Sequence, residues 1–242
     1  MRTALSKAGK WLLNALLPRT CAHCGEDLHY LAGEPLCAPC AGGLEPLRAP
    51  YCAFCGLPLP DGGASCRDCR GARGGPLSAA RSAFVFNPQL RSLVHALKYR
   101  GRSDLAAWLG AEMAAALPRF PELAGHGFAV AVPLHPSRER ERGFNQAGLL
   151  AAALAARANL FHLEGAAARN RDTGSQTALS KRERLANVEG AFSVARPELV
   201  KGRSILLVDD VATTLATLRE LASGLRRAGA VSVAAFTLAR EP

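Results

Sequence analysis

Cysteine is missing from residues 70–242, although the chain of 242 residues carries eight. That absence confines thiolate chemistry to a front end and leaves a cysteine-free remainder. Long apolar runs are also lacking: no stretch of about 20 apolar residues exists, so no segment is expected to span a bilayer as a helix. A cleavable leader is not expected either. Arg2, Lys7 and Lys10 precede an apolar stretch, Trp11 to Leu17, but Asn14 breaks it and no small-residue cleavage site follows before Pro18. A helix over residues 1–18 is predicted instead, with Leu5, Trp11, Leu12 and Leu16 on its apolar face, packed on the core or docked on a membrane surface or partner. Structural thiolates without a leader point to the cytoplasm.

The cysteines form four CxxC pairs, Cys21/Cys24, Cys37/Cys40, Cys52/Cys55 and Cys66/Cys69, with 12, 11 and 10 residues between successive pairs. Two thiolates on one tight turn can face a single ion, and two such turns complete a tetrahedron. Four pairs therefore imply two structural zinc ions. Gly25 and Gly56 follow the second cysteine of their pairs, where a knuckle needs positive φ so that backbone amides can face sulfur. CAHCG with a later CAPC is echoed by CAFCG with a later CRDC, as in two successive ribbons. Redox CxxC motifs, a disulfide scaffold or an iron–sulfur cluster are the alternatives, and the repeated spacing favours zinc. The pairing is either sequential or cross-braced. His23 and His29 are bystanders, because each site is already complete.

About 50 residues around the cysteines bury too little surface to fold alone, so metal must supply much of their stability. The formal net charge is +10 with neutral thiols. Each tetrathiolate zinc centre carries two negative charges, which leaves about +6. A basic chain suits phosphate-rich partners.

Residues 70–77, RGARGGPL, read as a linker, giving a double zinc ribbon over 19–72 and a larger domain over 78–242. Helices are predicted around Leu90–Leu97, over Leu105–Leu117, over Ala147–Ala158 and from about Thr217 to Arg227, where Gly229 is a C-cap. Strands are predicted over Phe128–Pro133, Ala191–Val194, Ser204–Val208 and Val231–Leu238. Alternating strands and helices describe an α/β domain with a mostly parallel sheet covered on both faces. Chemistry then gathers at the carboxyl ends of the strands.

The strand SILLV is followed by VDDVATTLATL, Val208 to Leu218. Asp209 and Asp210 can accept hydrogen bonds from adjacent ribose hydroxyls. Thr213, Thr214 and Thr217, with amides at the helix start, can surround a phosphate. The bland reading, an acidic strand end before a Ser/Thr helix cap, does not account for the full strand ahead of the acids. The segment resembles the phosphoribosyl pyrophosphate (PRPP) loop of type I phosphoribosyltransferases.

LKYRG (97–101), VPLHPSRERERGFNQA (132–147), QTALSKRERLANVEGAF (176–192) and ILLVDDVATT, in this order behind a double zinc ribbon, resemble the ComF family over about 18–240. That resemblance implies a phosphoribosyltransferase-type sheet and an association with DNA uptake during transformation. Residues 133–137, including Pro133, Leu134 and His135, would form the pyrophosphate loop, with Arg142 as a phosphate clamp. Arg138 and Arg140 read as clamp or as a solvated charge run, and Lys98 and Arg100 as facing pyrophosphate, nucleic acid or solvent. The polar stretch 169–190, with Gln176, Ser180, Arg182, Arg184 and Asn187, resembles a mobile loop that closes over PRPP and excludes water. If the domain is active, Mg²⁺ on pyrophosphate and an oxocarbenium-like state are implied, with charge stabilisation outweighing acid–base work. His95 and His135 are candidate bases by location alone. The family's loop has glycine where this chain has Leu215, and leucine resists both close backbone approach and positive φ, so weakened PRPP binding is expected.

Three functions fit these motifs. One is a ComF-like protein handling incoming single-stranded DNA beside DNA-uptake or recombination proteins, with a PRPP or nucleotide pocket. The second is an active phosphoribosyltransferase, which needs a base-recognising hood that the short stretch after Leu238 is not expected to supply. The third is a catalytically silent zinc-ribbon adaptor.

Overall fold

A computed structural model describes residues 19–29, 33–70, 75–172 and 187–242. The expected N-terminal helix, and Gln176, Ser180, Arg182 and Arg184, lie outside the described residues.

The front end is built from short pieces. A two-residue antiparallel pair, β1 (Arg19–Thr20) with β2 (Asp27–Leu28), frames the first knuckle, and α1 (Ala38–Gly42) carries Cys40. The second knuckle is held by turns, with Tyr51 bridged to Pro58. The chain at 45–47 then runs antiparallel along β3 (Ala80–Val85), Leu47 N–H reaching Ala83 O at 3.0 Å and Val85 N–H reaching Glu45 O at 2.8 Å. This edge strand was not predicted. Its sequence, ARSAFV, does not alternate, and both of its faces are covered.

The larger domain continues through α2 (Pro88–Tyr99), α3 (Leu105–Ala116), β4 (Phe128–Ala131), α4 (Pro136–Arg142), α5 (Gln146–Ala158) and β5 (Phe161–His162). There follow β6 (Ala167–Arg169), β7 (Phe192–Val194), β8 (Ser204–Ala212), α6 (Ala216–Arg227) and β9 (Ser232–Arg240). Five strands form one sheet in the order β3-β9-β8-β4-β5, and every neighbouring pair is parallel. β6 and β7 make a separate antiparallel pair. The predicted strand at 191–194 therefore exists but lies outside the main sheet, and 167–169, whose last residue opens the expected polar loop, is its partner.

Strand period explains why two cores form. Leu206, Val208, Ala234 and Phe236 point to one face and pack with Leu109, Met113, Leu150 and Leu154 of α3 and α5. Ile205, Leu207, Val233 and Ala235 point to the other and pack with Leu218, Leu221 and Leu225 of α6. The cysteine clusters divide the same way: Cys21 and Cys40 join the first core, and Cys52, Cys55, Cys66 and Cys69 join the second. On the first face α3 and α5 pack so closely that a Cβ added to Gly110 would meet Ala153 Cβ at 2.4 Å. The charge run SRERER is a helix, α4, started by Pro136 and by His135, whose Nδ1 accepts from Ser137 N–H at 3.3 Å.

Candidate functional site

The eight cysteines gather into two sequential groups, Cys21/Cys24/Cys37/Cys40 and Cys52/Cys55/Cys66/Cys69, the sulfurs of each lying within 4.8 Å of one another. Cross-bracing is excluded by this arrangement. Cys24 and Cys37 Sγ are 3.7 Å apart, as are Cys55 and Cys66 Sγ. Tetrahedral zinc with bonds of about 2.3 Å requires sulfur–sulfur edges of about 3.8 Å, so both groups fit the ion. Gly25 and Gly56 take the expected positive φ, 78° and 67°. His23 Nδ1 instead meets Ser92 Oγ at 2.9 Å, outside the ligand set. The second group is buried throughout, whereas Cys24 of the first is exposed.

The acid pair lies in a cleft of about 550 Å³ at the carboxyl ends of β4 and β8. β8 runs four residues beyond its predicted end and keeps pairing with β9 as far as Ala212, while its pairing with β4 stops at Val208. Asp209 and Asp210 thus project just past the end of β4. Successive residues point to opposite faces, so the two carboxylates have different surroundings. Asp210 is buried and paired with Lys98 of α2 at 2.6 Å. Burial alone would depress the Lys98 ammonium, but the charge and hydrogen bond of Asp210, with the charge of Asp209 added, outweigh it and hold Lys98 above its usual value. Asp209 is pushed up to about 7, first by desolvation and then by the Asp210 charge, against the pull of Lys98 and Arg169. Each aspartate also takes a main-chain amide: Asp210 N–H donates to Asp209 at 2.8 Å and Val211 N–H to Asp210 at 2.7 Å.

Thr213, Thr214 and Thr217 line the same cleft, as do Pro133, Leu134 and Arg142. Thr214 Oγ1 accepts from Ala216 N–H at 3.4 Å at the start of α6. A contiguous polar cavity of about 420 Å³ is lined by His135, Arg138, Arg142, Arg169 and Asp172. His135 there is a helix-starting residue whose Nδ1 is 2.7 Å from Ser137 Oγ, and Ser137 donates to Asp172 at 2.8 Å. His95 lines the cleft against the Tyr99 ring, 5.1 Å between centroids.

The basic candidates separate. Lys98 lines both the cleft and the polar cavity and is ion-paired with Asp210. Arg142 donates to Gln146 Oε1 and stands over Tyr99 at 5.3 Å from the ring centroid. Arg138 pairs with Glu141 at 2.9 Å and approaches Asp172 at 3.7 Å. Arg100 and Arg140 are exposed. The sequence does not single out Arg169, at the start of the expected polar loop, or Tyr99, whose position inside LKYRG is the available signal.

Leu215 takes up a backbone shape that leucine resists. It is buried and sits at φ 60°, ψ 10°, the left-handed conformation. An L-residue there costs roughly 1–2 kcal/mol. Burying a leucine side chain returns about 1.5–3 kcal/mol, which outweighs the strain. Leu215→Gly should therefore lower stability by about 0.5–1 kcal/mol, read by denaturant midpoint, and leave PRPP affinity unchanged because the turn already has its shape. Tighter PRPP binding by the glycine variant would restore the steric account.

Residues 12–70 match the double zinc ribbon domain. The chain is 34% identical over 233 residues to the DNA utilization protein YhgH of Salmonella typhi, covering 93% of this chain and 98% of that protein. It is 29% identical over 228 residues to Competence protein F of Haemophilus influenzae, 91% and 96% of the two chains. Competence protein ComFC of Bacillus subtilis is 32% identical over 216 residues, 86% and 85% of the two. Among solved structures, the glutamine PRPP amidotransferase from B. subtilis aligns over 60% of this chain and 30% of its own, with 19% identity and a TM-score of 0.40, a likeness too slight to bear on function. With two four-cysteine groups ahead of a parallel α/β domain, and relatives matched almost end to end, the chain belongs to the ComF family.

Proposed function

We propose that this protein assists DNA uptake by handling incoming single-stranded DNA in the cytoplasm, and that its cleft binds PRPP or a nucleotide. The observation that carries the pocket is the convergence of Asp209, Asp210, Thr213, Thr214 and Thr217 in one cleft at the carboxyl ends of β4 and β8. The acids would hold ribose hydroxyls, the threonine turn a phosphate, and residues 133–135 with Arg142 the pyrophosphate end. Mg²⁺, if recruited with PRPP, would neutralise pyrophosphate charge. Arg182 and Arg184, in the polar stretch 169–190 of the sequence, belong to the same reading as closing or DNA-contacting cations. The domain limits proposed are 19–72 for the ribbons and 78–242 for the larger domain, behind a helix over 1–18. The names of the relatives support DNA as the partner, and exposed Arg100 and Arg140 with half-exposed Arg138 supply cations for a strand. Tetrathiolate zinc supports a reducing compartment.

Single-stranded DNA should bind with little base preference, and its affinity should fall steeply with salt, with a logarithmic slope of about 0.7 per phosphate contact. Arg140→Ala should lower that slope by about one such contact, read by fluorescence anisotropy across a salt series. Binding that ignores salt, or no binding at low salt, would refute the DNA reading. Turnover as a phosphoribosyltransferase is the second reading. It is favoured by Leu215 holding the left-handed turn, and it requires PRPP-dependent pyrophosphate release with a free base.

A further inference from the structure

The second cysteine group lies directly against the back of the threonine turn. Cys55, Leu57, Cys66 and Cys69 share a crevice of about 300 Å³ with Thr213, Thr214 and Leu215. Three side chains cross it. Arg240, buried at the end of β9, donates Nε to Cys55 O at 3.2 Å and Nη1 to Ala212 O at 2.9 Å and Thr213 O at 2.6 Å. One guanidinium thus holds the carbonyl of a cysteine knuckle, that of the last residue of β8 and that of Thr213 at the start of the phosphate turn. Arg219, in the first turn of α6, places Nη2 3.9 Å from Cys69 Sγ, while its own N–H bonds to Leu215 O at 2.9 Å. Leu215 presents its buried side chain to the same crevice and keeps its left-handed backbone there.

The ribbon cannot slide away from this contact without disturbing the sheet edge. Phe54 O accepts from Ala80 N–H of β3 at 2.9 Å, and a Cβ on Gly56 would meet Ala80 O at 2.6 Å. The first cysteine group is different. It packs with the core on the opposite face of the sheet, and none of its residues lines the cleft or the crevice.

We propose that the second zinc centre is a positioning element of the phosphate turn, acting through Arg240 and Arg219, so that metal binding there and PRPP binding at the turn stabilise each other. The first zinc centre is outside this linkage. The inference rests on the reading of the cleft as a PRPP site. Coupling between two sites is reciprocal, so a ligand that holds the turn must also retain the metal that supports it. A guanidinium beside a doubly negative tetrathiolate adds a charge-assisted contact that exists only while the metal organises the thiolates.

The test uses the full chain with both zinc ions. Calorimetry with Mg–PRPP first establishes binding. Zinc release to a colorimetric chelator is then followed with and without saturating Mg–PRPP, with Cys37→Ser and Cys66→Ser assigning the two phases. PRPP should slow release from the second centre about tenfold and leave the first unchanged. Arg240→Ala should keep two zinc ions, lose the protection and weaken PRPP, while Asp209→Asn, which weakens PRPP without touching either cysteine group, should need a correspondingly higher PRPP concentration for protection and so tie the effect to bound PRPP rather than to chelation by the free ligand. If PRPP binds yet slows neither phase, or slows both equally, the coupling is wrong and the pocket stands. If PRPP does not bind the wild-type protein, the reading of the cleft falls and the inference with it.

Discussion

Protein purified without added metal should contain about two zinc ions per chain, and stripping them should unfold the front end. The two losses should differ in reach. Cys52, Cys55, Cys66 and Cys69 are all buried and belong to the core that includes Leu218, Leu221 and Leu225 of α6. Cys24 is exposed, and Cys37 is only partly buried. A Cys66→Ser variant should therefore lower the melting transition of the whole chain, whereas Cys37→Ser should chiefly release one zinc and expose residues 19–43 to protease. Structural zinc in small domains contributes on the order of 10 kcal/mol, far more than any single side-chain change here. A metal-free, disulfide-linked preparation that stays folded would refute the assignment.

Replacing the neighbouring aspartates should move stability in opposite directions while both replacements weaken PRPP. Asp210→Asn leaves the Lys98 ammonium among buried groups without its carboxylate and should cost about 3 kcal/mol. Asp209→Asn removes a carboxylate whose ionisation is opposed by burial and by Asp210, and should stabilise the protein near neutral pH. The sign follows from the proton held in the folded state. Because the Asp209 value rises from 3.8 to about 7 on folding, its contribution to stability is greatest below 3.8 and is lost as pH rises through about 7. The Asn variant should lack that decline, which melting curves from pH 4 to 8 can read against wild type. Each replacement loses a charge-assisted bond to ribose or to Mg²⁺ worth very roughly 1.5–3 kcal/mol, so PRPP affinity should fall about 10- to 100-fold. Affinity of the wild type should rise with pH through about 7, as Asp209 ionises. Unchanged affinity in both variants would remove PRPP from this cleft.

Where regular elements are long and periodic, the sequence was legible. The helices at 105–116, 146–158 and 216–227 fall within a few residues of their predicted ends, because apolar spacing and terminal residues carry the information locally. The strand at 80–85 was not legible, because a strand covered on both faces has no alternation to show. The helix at 136–142 was hidden by alternating charges that also suit an exposed loop. The sequence leaves Lys98 facing pyrophosphate, nucleic acid or solvent, because nothing local reveals that Asp210, 112 positions later, meets it.

By itself the sequence determined two four-cysteine zinc sites, an α/β domain, and an acid pair followed by a threonine turn, since spacing, period and residue chemistry are local properties. Only the tertiary structure decided that the cysteine pairs close sequentially, and that Asp209 and Asp210 have unequal surroundings. It also decided that Leu215 turns left-handed against the second ribbon. Each of these depends on which distant segments share a face of the sheet. That sharing is fixed by parallel strand pairing and by the burial it allows, and neither is encoded in any single stretch of the chain.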